Sequence, residues 1–187
     1  AGRYLAPAGE GKAEVVIREG EEMIRERAVR VGMALVESGR AGSLVLVHQE
    51  AVEDATFGKP PDYSRFLAEK IAELGLGRDR VKVFSVPQEH PITLNEARAV
   101  LSRLSGENIR SAILVARDFH SRRSYWAYKQ AGSPLGITVI PHPYFSRFQI
   151  DGWWRGAWGR RNFLEEAAKF LYYVFRGYIP LRSLVAT

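Results

Sequence analysis

Five short apolar runs, each followed by a segment with helical spacing, constrain this chain more than any other feature. The runs lie at residues 13–17, 43–47, 81–86, 112–116 and 137–140. Runs of that length with little alternation mark strands buried on both faces. After the first, Ile24, Ala28, Val31 and Leu35 recur at helical spacing, and Gly39 is a natural stop. A polar loop through Gly58-Lys59-Pro60-Pro61 follows the second and leads to a helix from Asp62 to about Leu74. After the third, Thr93-Leu94-Asn95-Glu96 has capping-box spacing ahead of Ala97, Val100, Leu101 and Leu104. A helix to about Gln130 follows the fourth. The last helix is expected to be boxed by Asn162 and Glu165, with a stripe of Phe163, Ala167, Phe170, Leu171 and Val174. Strand and helix alternating in this way predict an α/β fold: a mostly parallel five-stranded sheet with helices on both faces.

A chain of 187 residues with 46% hydrophobic content can bury one good core, so residues 13–180 read as one domain behind an entry segment, 1–12. The absence of cysteine removes disulfides, thiol nucleophiles and Cys-based zinc sites. Charge is unevenly spread: residues 1–116 carry 16 Lys and Arg against 17 Asp and Glu, whereas 117–187 carry 11 against 4. A basic last third suits an anionic partner: a phosphorylated ligand, an acidic lipid surface or nucleic acid. The segment W-W-R-G-A-W-G-R-R from Trp153 fits a membrane interface, a lid over a ligand or nucleic-acid stacking, but aromatic packing of the last helix onto the sheet is the leading reading for at least Trp154. No RNA-binding signature accompanies it, so nucleic acid is not an expected partner. No run of about eighteen apolar residues is present. The chain opens Ala-Gly-Arg, so any anchor or signal is expected upstream.

Right-handed crossovers bring the carboxyl ends of parallel strands to one edge, where open α/β sheets bind ligands. Glu19, His48, Glu50, Glu89, His90, Arg117, Asp118, His120 and His142 converge there from distant parts of the sequence. The stretch A-I-L-V-A-R-D-F-H-S-R-R (Ala112 onward) concentrates this pattern, because a buried strand passes directly into a charged helix start. His120 and Arg123, three residues apart, share one face of the first turn and read as an acid or base beside an anion clamp, or as a capping histidine. Asp118 reads as a metal contact, an orienter of His120, or a helix cap. Glu96 reads as a functional acid or as the third residue of its capping box, and Asn95 shares that ambiguity. Glu19 and Glu50 read as a carboxylate pair able to hold a cation or exchange protons, or as solvated loop residues. His48, His90 and His142 lack metal-ligand spacing, so no metal site is expected. Neither G-x-x-x-x-G-K nor G-x-S-x-G occurs, so neither a P-loop ATPase nor a hydrolase elbow is supported.

The pairing of T-L-N-E-A (Thr93 to Ala97) with I-L-V-A-R-D-F-H-S-R-R (Ile113 to Arg123) resembles the SanA/ElyC/YdcF family, a bacterial domain of unknown function. The entry G-R-Y-L, the pair Trp153-Trp154 and the L-Y-Y run of the last helix extend the resemblance from about Gly2 to Gly177. It implies a Rossmann-like three-layer domain, often behind one N-terminal membrane helix, with roles in envelope and carrier-lipid metabolism and a nucleotide-type ligand. Location outside the cytoplasm is therefore expected where such an anchor precedes the chain, and a cytoplasmic location otherwise. Arg18-Glu19-Gly20 and His48-Gln49-Glu50 stand where the family commonly has glycine-rich turns.

Together these readings predict a phosphorylated or nucleotide-like ligand at the strand ends. Arg117 and Arg123 would hold its anion, with His120 as acid or base. Asp118, Glu96, Glu19 and Glu50 would orient groups or hold a cation, and Asn95 and His48 would lie nearby. Phosphoryl or glycosyl transfer fits these charges better than acyl transfer. No cofactor is named by the sequence. The competing expectation is a non-catalytic, membrane-associated scaffold or sensor that uses the basic aromatic C-terminal face.

Overall fold

A computed structural model describes residues 13–18, 26–50, 69, 71–73, 75–145 and 149–184. The sheet is five-stranded and parallel throughout, in the order β3-β2-β1-β4-β5. Its strands are β1 (Ala13–Arg18), β2 (Ala41–Glu50), β3 (Val81–Pro87), β4 (Ser111–Arg117) and β5 (Thr138–Tyr144). The α-helices described from end to end are α1 (Glu26–Glu37), α2 (Ile92–Gly106), α3 (His120–Gly132) and α4 (Ala157–Phe175), and residues 69 and 71–73 are also helical. This is the parallel α/β sheet that the alternation predicts, in the Rossmann-like sandwich that the resemblance implies. The entry segment, the loop and most of the helix expected between β2 and β3, and Glu19 lie outside the described residues.

Period-two alternation divides each central strand between two cores. Val15, Ile17, Leu44, Leu46, Ile113 and Val115 meet α1 through Ala28, Val29 and Val36. Gly32 lets α1 sit close, since a Cβ there would reach within 2.7 Å of Leu44 and 2.8 Å of Ile17. On the opposite face Val16, Val45, Leu114 and Ala116 pack with Val100, Leu101 and Leu104 of α2 and Tyr128 of α3. Each buried valine, leucine or isoleucine among them contributes roughly 1.5–3 kcal/mol by leaving water. Beyond them α4 forms an outer layer: Phe170, Tyr173 and Val174 pack on Leu94 of α2 and Trp126 and Ala127 of α3.

Strand β5 runs further than its apolar run because it is an edge strand. Pro141 and Pro143, two residues apart, turn their missing donors to the same open side, where no ladder bond is lost.

The helix starts correct the capping expectations. Pro91 precedes α2 with no side-chain cap, and Thr93 and Glu96 bond to other elements instead. α4 begins at Ala157, so Asn162 lies inside it and Glu165 pairs with Arg161 rather than closing a box. Its buried stripe contains Glu166 and Tyr173, whereas Leu171 faces outward.

Candidate functional site

The strand order places β1 beside β4, with Ile17 opposite Val115, so the chain's crossovers change direction between these two strands. Their carboxyl ends flank the crevice where open parallel sheets accept ligands. On one side β2 ends in His48, Gln49 and Glu50, opposite Ser85, Val86 and Pro87. On the other, β4 ends in Arg117, opposite Tyr144, and passes within three residues into α3. His48, Glu50, Arg117, Asp118, His120, Asn95 and Glu96 therefore gather along one edge. The side chain of Glu50 lies outside the description, as does Glu19 altogether.

Asp118 makes the turn between β4 and α3. Its backbone is left-handed (φ 50), a conformation that aspartate tolerates better than most residues. Its N–H donates to Tyr144 O at 2.9 Å, and its carbonyl accepts from Ser121 N at 3.2 Å and Ser121 Oγ at 2.7 Å. Phe119, not Asp118, is the residue preceding α3, and its side chain makes no cap hydrogen bond. The Asp118 carboxylate is almost wholly buried, with Oδ2 3.5 Å from Arg117 Nε. The Arg117 side chain keeps about a third of its surface exposed (34%).

One turn into α3, His120 and Arg123 meet α4. The Arg123 guanidinium is buried and wraps Glu166: Nε and Nη2 donate to Oε2 at 3.1 and 2.9 Å. Its Nη1 donates to Thr93 Oγ1 at 2.5 Å, and its face lies 5.2 Å from the Tyr173 ring centroid. Thr93 N in turn donates to Tyr173 Oη at 3.2 Å, so α2, α3 and α4 meet in one polar knot. His120 Nδ1 lies 2.8 Å from Arg123 Nη2 and 3.1 Å from Glu166 Oε2, and Nε2 lies 2.8 Å from Ser124 Oγ. A neutral ring with its proton on Nε2 accepts from Arg123 and donates to Ser124. A ring carrying a proton on Nδ1 donates to Glu166.

Burial pushes the Glu166 carboxyl up, but hydrogen bonding and charge from His120, with Arg123 and Lys169, outweigh it and hold the group well below the usual carboxylate range. Ser124–His120–Glu166 has the connectivity of a serine relay, yet Ser124 is fully buried and has no surface for a substrate. It fixes the ring.

A second buried acid spans from the sheet to α3. Glu96, in the first turns of α2, accepts from Tyr128 Oη at 2.9 Å and from Gln49 Nε2 at 2.6 Å. Asn95 braces the preceding loop: its Nδ2 donates to His90 O at 3.2 Å and its Oδ1 accepts from Arg98 at 3.3 Å. His48 is half-buried near the end of β2. His142 lies inside β5 rather than at its end, and burial, with the charge of Arg40, lowers its pKa. Among the described residues, no three His, Asp or Glu side chains stand close enough to hold a metal ion.

The structure thus joins His120 and Arg123 directly, places Arg117 against Asp118, and puts Glu96 in a separate bonded group. Sequence reasoning missed Glu166, Tyr128 and Ser124. A signal existed for Glu166, an acid four residues before Phe170 on an apolar stripe, which requires a buried cation nearby. An aromatic cluster adjoins the same edge, with Phe119 5.1 Å from Trp153 and 5.2 Å from Phe163 between ring centroids.

Comparison of the chain with family models, curated proteins and solved structures gives no match.

Proposed function

We propose that this chain is a SanA/ElyC/YdcF-like domain whose carboxyl edge binds a phosphorylated or nucleotide-like small molecule. One observation supports it above the others. Two almost wholly buried acids, Glu96 and Asp118, are gathered at that edge with Arg117 and a histidine held by Glu166. Such groups are costly to bury, and their concentration at a crevice is a mark of a functional site.

Each group has a distinct task in this reading. Arg117 offers the anion a partly exposed guanidinium at the carboxyl end of β4. Arg123 acts from behind, because Glu166 already occupies its fork. It positions His120 rather than touching the ligand. The geometry favours binding over turnover, since both ring nitrogens of His120 are bonded within the protein. Phosphoryl or glycosyl transfer at this edge requires Nε2 to exchange Ser124 for the ligand. The envelope or carrier-lipid setting rests on the motif resemblance alone.

A thermal-shift screen with inorganic phosphate, nucleotides, nucleotide sugars and prenyl phosphates tests the proposal. A ligand at about a hundred times its Kd adds about 2.7 kcal/mol of stability. The shift is expected to disappear in Arg117→Ala, read against that variant's own unliganded melting point, which falls because the buried Asp118 carboxylate loses the guanidinium beside it. A panel without any shift, or a shift retained by Arg117→Ala, contradicts the proposal.

A further inference from the structure

Helix α4 is apolar on both sides. Its inner stripe packs on α2 and α3, yet Leu164, Ala168, Leu171 and Phe175, spaced four, three and four residues apart, form a second stripe facing solvent. Leu164 is 65% exposed, Leu171 43% and Phe175 84%, with Tyr172 beside them at 52%. Exposed arginines bracket this stripe, Arg160 and Arg161 at its start and Arg176 at its end. Arg160 Nη1 donates to Trp154 O at 2.8 Å and Arg155 O at 3.2 Å, which ties the exposed Trp154 and Arg155 to the same end. Residues 149–184 carry six Lys and Arg against three Asp and Glu. Glu166 is turned inward onto Arg123, and Glu165 is bound by Arg161 at 2.6 Å.

We propose that this outer face of α4 docks on an anionic lipid surface, with the leucines and Phe175 entering the acyl boundary and the arginines reaching the headgroups. Charge decides against a second copy of the chain. Antiparallel pairing sets Arg160 and Arg161 against the other copy's Arg176, and parallel pairing sets each against its own equivalent, so like charges meet either way. Four apolar side chains on one helix also bury far less than the roughly 1,200 Å² of a stable interface. The face is the convex side of a single helix, which suits insertion into a surface. Long arginine stems lie along apolar surface while their heads reach phosphates, and Trp154 and Tyr172 are residue types that favour the interfacial layer. This surface is separate from the carboxyl edge and stands without the ligand reading.

Flotation with phosphatidylcholine–phosphatidylglycerol vesicles, against phosphatidylcholine alone, tests it. The chain is expected to float with the anionic vesicles and to be released by salt. Leu171→Glu combined with Phe175→Glu weakens partitioning by about tenfold or more, with the melting point unchanged because both side chains are exposed. Arg160→Ala with Arg161→Ala weakens binding to the anionic vesicles. Absence of binding to anionic vesicles overturns the proposal, as does equal binding by the Leu171/Phe175 variant. Concentration-dependent self-association in sedimentation that the same variant abolishes assigns the face to a second copy instead, and also overturns it.

Discussion

Arg123 Nη2 lies 2.9 Å from Glu166 Oε2, and this buried contact ties the helix that leaves β4 to the last helix of the fold. The pair also holds His120 Nδ1, so the outer layer is joined to the carboxyl edge through charge as well as apolar packing. Removing Glu166 leaves the Arg123 guanidinium buried without a carboxylate, whereas removing Arg123 leaves Glu166 with His120 and Lys169. Glu166→Ala is expected to cost about 3–5 kcal/mol, measured by urea unfolding, and Arg123→Ala less. Arg123→Met with Glu166→Leu should cost well below the sum of the two, because no lone charge remains.

The same carboxylate gives stability a pH dependence. Its pKa in the folded chain lies well below the usual 4.5, so over that interval the unfolded chain binds more protons than the native one. Its contribution is complete above about pH 4.5 and is lost as pH falls through the depressed native value. Urea midpoints measured between about pH 7 and about pH 3.5 should fall more steeply for the wild type than for Glu166→Gln.

Glu96 accepts from Tyr128 and Gln49 while almost wholly buried. Tyr128→Phe keeps the ring in its core and removes one donor to that carboxylate. A loss of about 1–3 kcal/mol in thermal or urea unfolding is expected.

Two neighbouring positions in α4 should respond in opposite directions. A Cβ at Gly159 would run into the carbonyl of Trp153, so Gly159→Ala must shift that backbone and is expected to cost about 1–3 kcal/mol and alter tryptophan fluorescence. Asn162 Oδ1 is buried without a hydrogen bond. Asn162→Ala removes that orphan and improves helix propensity, so it should raise stability by about 0.5–1 kcal/mol.

The fold was legible because local signals carry it. Residues 112–116 read as a buried strand and are the centre of β4. Four of the five apolar runs lie within a strand and the fifth, 137–140, enters β5 at Thr138; the parallel alignment follows from the helices between them. Helix starts were less legible. The spacing from Thr93 to Glu96 describes a capping box, but Arg123 takes the Thr93 hydroxyl and Tyr128 takes the Glu96 carboxylate. Both partners lie about thirty residues away, beyond any local pattern. The outward turn of Leu171 has a similar cause: Arg123 neutralises Glu166, which lets a charged residue occupy the inner stripe. For the candidate site, sequence placed Arg117, Asp118 and His120 at the carboxyl end of β4, and the fold has them there. It did not reveal that Arg123 is already bound by an acid from a distant helix.

The ligand site proposed above lies at the carboxyl edge beside β4. The most direct measurement is a two-dimensional amide NMR titration with inorganic phosphate and with the nucleotide giving the largest thermal shift. The account predicts saturable changes concentrated at the amides of Arg117, Asp118, Phe119, His120 and Ser121, and their loss in Arg117→Ala. Saturable changes confined to other parts of the chain, or no saturable change with either probe, would contradict it.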